Sequence, residues 1–110
     1  MPISARSLMS FPIPDVRRTV STRDAILYAL STGYGSEPLD AMHLRRVEER
    51  DLTVAPTLAN VVADAGSWMG DAGVNWQQLV HAEHRLTIHA PVPLDTPLIS
   101  RSQMRSIVDR

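Results

Sequence analysis

Hydrophobic residues recur along this chain first with the period of a helix and then with the period of a strand. Residues 1–20 show neither pattern. Pro12 and Pro14 exclude a helix around them and favour extended geometry, so this stretch is expected to be a tail leading into an extended arm. The first helical signal is Ser21, Thr22, Arg23, Asp24, in which Ser21 can cap the free amide of residue 24 while Asp24 reaches back. Ile26, Ala29 and Leu30 follow at helical spacing, with Leu27 and Tyr28 widening the apolar face, and Gly33 and Gly35 close the element. A helix is predicted over residues 21–32.

Residues 36–56 are less patterned. Ser36, Glu37, Pro38, Leu39 and Asp40 read as a turn, residues 44–49 as a charged, solvated stretch, and Leu52, Thr53 and Val54 as a possible short strand. Pro56 suits the first turn of a second helix, where its missing amide costs nothing. Leu58, Val61, Val62, Ala65 and Met69 then form one stripe, with Asn60 and Asp64 opposite, which predicts a central, buried helix over residues 56–69.

Beyond this the period changes to two. Val80, Ala82, His84, Leu86 and Ile88 alternate with His81, Glu83, Arg85, Thr87 and His89. Pro91, Pro93 and Pro97 interrupt the chain, and alternation resumes over residues 98–108 with Leu98, Met104 and Val108 on one side. The expectation is an antiparallel strand pair spanning residues 80–108. Two strands alone are marginal and carry open edges. The pattern therefore predicts partner strands from a further C-terminal stretch or from another chain.

Composition narrows the class. The 110 residues suit one domain, and 44% hydrophobic with 21% charged residues is globular rather than disordered. The net charge of −1 supplies no field for nucleic acid or an anionic membrane, so neither is expected as a partner. There is no cysteine, which excludes disulfides and thiolate chemistry. No signal peptide and no apolar run long enough for a membrane span is visible, so a cytoplasmic location is expected. His81, Glu83 and His89 would share one strand face, but a strand separates His89 widely from His81 and no fourth ligand is evident, so no metal site is expected. No nucleophile elbow or phosphate-binding glycine loop is present.

Three stretches, in order, carry a resemblance. TRDAILYALSTG at residues 22–33 is similar to a run of the form D-x-x-L-Y-A-L-G-x-G. VAPTLANVV at residues 54–62 is similar to a helix opening V-L-P-T-F. LVHAEH at residues 79–84, followed by Pro91, Val92 and Pro93, is similar to L-H-G-E-Q and P-L-P. Together they resemble the N-terminal, non-catalytic domain of MaoC-like (R)-specific enoyl-CoA hydratases. The resemblance implies an α+β hot-dog fold, an antiparallel sheet wrapped around a central helix, here incomplete at its C-terminus and forming one partial domain over residues 1–110.

Catalytic members of that family carry a loop S-G-D-x-N-P-L-H after the first helix. Setting Pro38 and Leu39 on its P-L puts Gly35 at the catalytic Asp, Glu37 at the Asn and Asp40 at the His, a degenerate active-site loop without its acid/base pair. Hydration of an enoyl thioester needs an activated water, a proton for the alpha carbon and stabilisation of the thioester oxygen. The resemblance implies that an Asp/His dyad supplies the first two from a C-terminal half, with no cofactor beyond the coenzyme A of the substrate. This chain would then carry no catalytic residue. It would complete the fold and accommodate an acyl tail, with Leu58, Val61, Val62 and Trp68 as candidate lining residues or as plain core. The implied partners are an acyl-CoA substrate, a catalytic hot-dog domain or subunit, and a second copy in a homo-oligomer such as a dimer. Two alternatives stand beside this: a non-catalytic subunit of a heteromeric hydratase, and a hot-dog thioesterase or acyl-binding module with Asp64 as its acidic residue.

Overall fold

The computed structural model describes residues 3–109, so expectations for residues 1, 2 and 110 lie outside it. It is an α+β arrangement in which helices α1 (Ala5–Met9), α2 (Thr22–Ser31), α3 (Ala41–Val47), α4 (Leu58–Val62) and α5 (Trp68–Asp71) accompany two strands, β1 (Val16–Thr19) and β2 (Pro97–Ser100). A single 3₁₀ turn spans Trp76–Gln78.

The expected arm over residues 1–20 is only partly extended. Ser4 and Ser7 form a reciprocal cap, each hydroxyl accepting from the other's backbone amide, and this starts α1 where the prolines do not reach. Extended structure begins beyond Pro14, as β1.

Helix α2 follows its sequence signal closely. Ser21 Oγ accepts from the Asp24 amide at 3.0 Å, and the Asp24 carboxylate accepts from the Ser21 amide at 3.0 Å. The buried face is made of small residues, Ala25 and Ala29, one turn apart, while Leu27 and Leu30 are about half exposed. The hydrogen bond from the Ser21 backbone, then that from its hydroxyl, holds the Asp24 carboxyl below its usual range, and Arg23 adds to this. A carboxyl with a lowered folded-state pKa gives stability that is present above its unfolded value and lost as pH falls through the folded one. Circular dichroism is therefore expected to show helix loss on acidification below the ordinary carboxylate range. Ser21→Ala should cost about 1 kcal/mol in a urea melt at neutral pH and flatten that acid dependence.

The predicted central helix over residues 56–69 is divided. Regular helix ends at Val62, and the chain turns where the Asp64 carboxylate accepts from the Gly66 amide at 3.0 Å and Gly66 takes φ +74°. The apolar stripe continues through this break and so hid it. The possible strand at residues 52–54 is an irregular segment whose Val54 and Ala55 are buried.

The expected pairing within residues 80–108 is also replaced. Strand β2 pairs antiparallel with β1, in the register Val16 to Ser100, Arg17 to Ile99, Arg18 to Leu98 and Thr19 to Pro97. The cause lies just before β2. Asp95 adopts φ +53° and its amide donates to the Val20 carbonyl at 2.7 Å, which turns the returning chain onto the N-terminal strand. Pro97 sits at the end of the ladder, where the missing amide is tolerated. Residues 80–89 are exposed and join no strand.

One face of the β1–β2 ribbon closes the C-terminal end of α4. Arg18 Nη1 donates to the Val61 carbonyl at 2.6 Å and Ser100 Oγ to the Ala63 carbonyl at 2.8 Å. The core lies between this ribbon, α2 and α4. It consists of Val20, Ala25, Val54 and Leu58, flanked by Tyr28, Leu52, Val62, Val92, Leu94 and Leu98. It is small for the chain. The radius of gyration is 17.3 Å, against about 13 Å for a compact domain of this length, and Leu39, Val80, Val108 and Trp76 are largely exposed. No helix among the described residues is long and apolar enough to cross a membrane.

Candidate functional site

The loop joining α2 to α3 is built by glycine geometry and one carboxylate cap. Helix α2 ends with the Tyr34 amide donating back to the Ala29 carbonyl at 3.0 Å. Gly33 and Gly35 take φ +102° and +94°, conformations that an L side chain rarely adopts. Glu37 is exposed, and its carbonyl accepts from the Asp40 amide at 3.0 Å. Asp40 is the N-cap of α3, its Oδ1 accepting from the Met42 amide at 2.8 Å and the His43 amide at 3.4 Å. The helix that begins here runs on into residues 44–49, the stretch expected to be solvated charge.

This geometry defines what the loop can do. Gly35 carries no side chain. Its amide donates to His43 Nδ1 at 3.0 Å, which makes Nδ1 the acceptor and leaves the ring proton on Nε2. The Asp40 carboxylate is directed at two backbone amides rather than at an open space. Gly35, Glu37 and Asp40 therefore sit on one loop but present no converging acid and base. His43 is half-buried beside the loop, with its ring tilted on Tyr34 at 5.5 Å between centroids. The only sequence signal for it is its position one turn into a helix capped by Asp40.

Arg46 serves the same corner. Its guanidinium lies 5.7 Å from the Tyr34 ring centre and donates to the carbonyls of Thr53 and Val54. It fastens α3 to the irregular segment ahead of α4. Across the core, Tyr28 donates its hydroxyl to Thr57 Oγ1 at 2.7 Å, tying α2 to the start of α4.

The four residues named as acyl-tail candidates separate. Leu58 is buried in the core, whereas Val61, one turn further along the same short helix, is 52% exposed. Val62 lines a cleft of about 190 Å³ with Ala59, Val92 and Leu98. Trp68 lines another of about 410 Å³ with Asp64, Met69 and Trp76. Trp68 also stacks obliquely on Phe11 at 6.2 Å, so it anchors the segment that follows α1 as well as walling its cleft. Asp64 is exposed, and its carboxylate holds the turn at Gly66. His81 and His84 contact each other edge-on at 5.6 Å, and His89 lies in a separate cleft with Arg46 and Val54.

Comparison with known families finds one correspondence. A family model described as "MFE-2 hydratase 2 N-terminal domain" matches residues 19–110. No curated protein and no solved structure matches the chain.

Proposed function

Because this chain belongs to the MFE-2 hydratase 2 N-terminal domain family, we propose that it is the non-catalytic N-terminal half of an (R)-specific enoyl-CoA hydratase / 3-hydroxyacyl-CoA dehydratase. The observation that carries the non-catalytic reading is the loop. Where catalytic members place an Asp there is Gly35, whose amide is bonded to His43, and where they place a His there is Asp40, used as a helix cap. The acid and base then come from a C-terminal hot-dog domain, on this chain or on a separate subunit. No metal or organic cofactor enters the reaction.

In this reading the chain is a partial hot dog. The β1–β2 ribbon and α4 are its nucleus, and partner strands complete the sheet. The small core and the exposed apolar residues support a partner, because isolated domains rarely leave this much apolar surface uncovered. An acyl tail is accommodated at the clefts lined by Val62 and by Trp68, the two candidates that line open space. The thioesterase reading would require Asp64 to face a thioester, whereas its carboxylate is bonded to the Gly66 amide at an exposed turn.

The test is to join the chain to a catalytic hot-dog domain carrying D-x-N-P-L-H and measure hydration across a series of enoyl-CoA chain lengths. Presence of this half should raise kcat/KM for long-chain over short-chain substrate, and Trp68→Ala should reduce that preference while leaving crotonyl-CoA turnover unchanged. A chain-length profile indifferent to the presence of this half would overturn the assignment.

A further inference from the structure

We propose that residues 3–14 form an apolar strap along α5, and that its Phe11 is a positioning residue for Trp68 that sets how bulky a tail the Trp68 cleft admits. This deepens the reading of that cleft as an acyl-tail site and rests on it.

Among the described residues, no hydrogen bond leaves the segment 3–14. Its bonds are local, between Ser4 and Ser7, from Ser10 to Arg6 and Ser7, and from Phe11 to Leu8. Pro12 and Pro14 have no amide to offer, and α1 buries none of its own residues. Apolar contacts at the two ends place the segment instead. Phe11 is half-buried, with its ring 6.2 Å from that of Trp68 and inclined at 31°. Ile3 lies over Gly73, where an added Cβ would stand 3.6 Å from Ile3 Cγ1. Trp68 opens α5 and Gly73 lies just past its end, so the strap runs antiparallel along that helix. Helix α5 is itself short of polar ties. It has no side-chain cap, and its backbone bonds are local, from Asp71 to Ser67, Ala72 to Trp68 and Val74 to Met69. Strap and helix supply each other's apolar cover.

The cleft of about 410 Å³ beside them has Trp68, Met69 and Trp76 among its walls. The two indoles are held differently. Trp76 sits against Gly70, whose added Cβ would lie 3.7 Å from Trp76 Cδ1, so its seat is helix backbone. Trp68 is held by Phe11. A ring packed on a second ring loses the rotamers that would swing it aside. With Phe11 in place the cleft keeps one width, and a packed wall gives way to a bulkier tail only at a cost. With Phe11 truncated, Trp68 can turn into the vacated space and the cleft widens. The strap lies ahead of the family-matched residues 19–110, so this control of width is carried by a stretch outside the shared domain.

Two measurements on the 110-residue chain test this, each with Phe11→Ala and Phe11→Tyr. The first is acrylamide quenching of Trp68 without ligand, in a Trp76→Phe background that leaves Trp68 as the single tryptophan. Phe11→Ala should strengthen quenching and shift the emission to the red, and Phe11→Tyr should restore the starting values. The second is calorimetric binding of decanoate and of adamantane-1-carboxylate to chains that keep Trp76. The chain with Phe11 should favour the linear acid. Phe11→Ala should move the ratio of the two affinities towards the bulky one by roughly tenfold, and Phe11→Tyr should leave it in place. A general loosening of the fold would weaken both acids together and leave the ratio unmoved. Phe11 lies outside the core cluster, so circular dichroism should be unchanged in both variants. Quenching indifferent to Phe11→Ala would overturn the strap, whatever binds. Altered quenching with an unmoved affinity ratio would overturn the control of width. If neither acid binds any of the chains, the tail assignment of the cleft fails and the proposal falls with it, an outcome told apart from failure of the strap because quenching is read without ligand.

Discussion

Assayed alone, the 110-residue chain is expected to leave crotonyl-CoA unhydrated. A positioned acid and base typically contributes about 10²–10⁴-fold to such a step, and the loop offers neither. Gly35 has no side chain, Glu37 stands exposed, and the Asp40 carboxylate is already bonded to the amides of Met42 and His43. Direct restoration is also blocked. An Asp at position 35 would have to adopt φ +94° with its Cβ 3.4 Å from Leu30 Cδ2, and a His at position 40 would remove the cap that starts α3. The Gly35→Asp, Asp40→His variant is thus expected to lose stability without gaining turnover. Following the enoyl thioester absorbance for wild type and variant checks both statements. Turnover by the wild-type chain would mean that a different group, with His43 the nearest candidate, does the proton transfer.

The parts of this molecule that were legible in its sequence are those decided over a few residues. The α2 cap is an example, since Ser21 and Asp24 satisfy each other with little help from the rest of the chain. The absence of a side chain at Gly35 is likewise visible without coordinates. What depended on distant contacts was not. Alternation over residues 80–89 and 98–108 indicated strands, but the partner of β2 was fixed by the Asp95 amide meeting the Val20 carbonyl, a contact across most of the chain. The helix at residues 56–69 was overextended because the apolar stripe persists through Gly66, where the backbone and not the side-chain pattern ends the helix. The face of α2 was likewise misjudged toward its larger residues, whereas close approach of neighbouring segments buries Ala25 and Ala29. Arg46 gave no signal and His43 only its place after the Asp40 cap, since their roles are to hold two carbonyls and a loop amide that only the folded chain brings within reach.

Leu58→Ala and Val61→Ala should differ widely in cost, although both residues lie on one five-residue helix and both were candidates for the same lining. Leu58 is 5% exposed within the core cluster of Val20, Ala25 and Val54. Removing its side chain leaves a cavity among groups held by the Tyr28–Thr57 hydrogen bond on one side and the Arg18–Val61 bond on the other, so relaxation can recover only part of the loss. Truncations of this kind cost about 2–5 kcal/mol, a large share of the roughly 5–15 kcal/mol that holds a small domain together. Val61 projects away from this cluster, and an exposed truncation should stay within about 0.5 kcal/mol. Urea melts followed by circular dichroism would measure both. Equal costs would mean that α4 is turned about its axis relative to the ribbon. In that case Arg18 and Ser100 could not both reach the carbonyls of Val61 and Ala63, and the nucleus on which a partner sheet is proposed to build would have a different face.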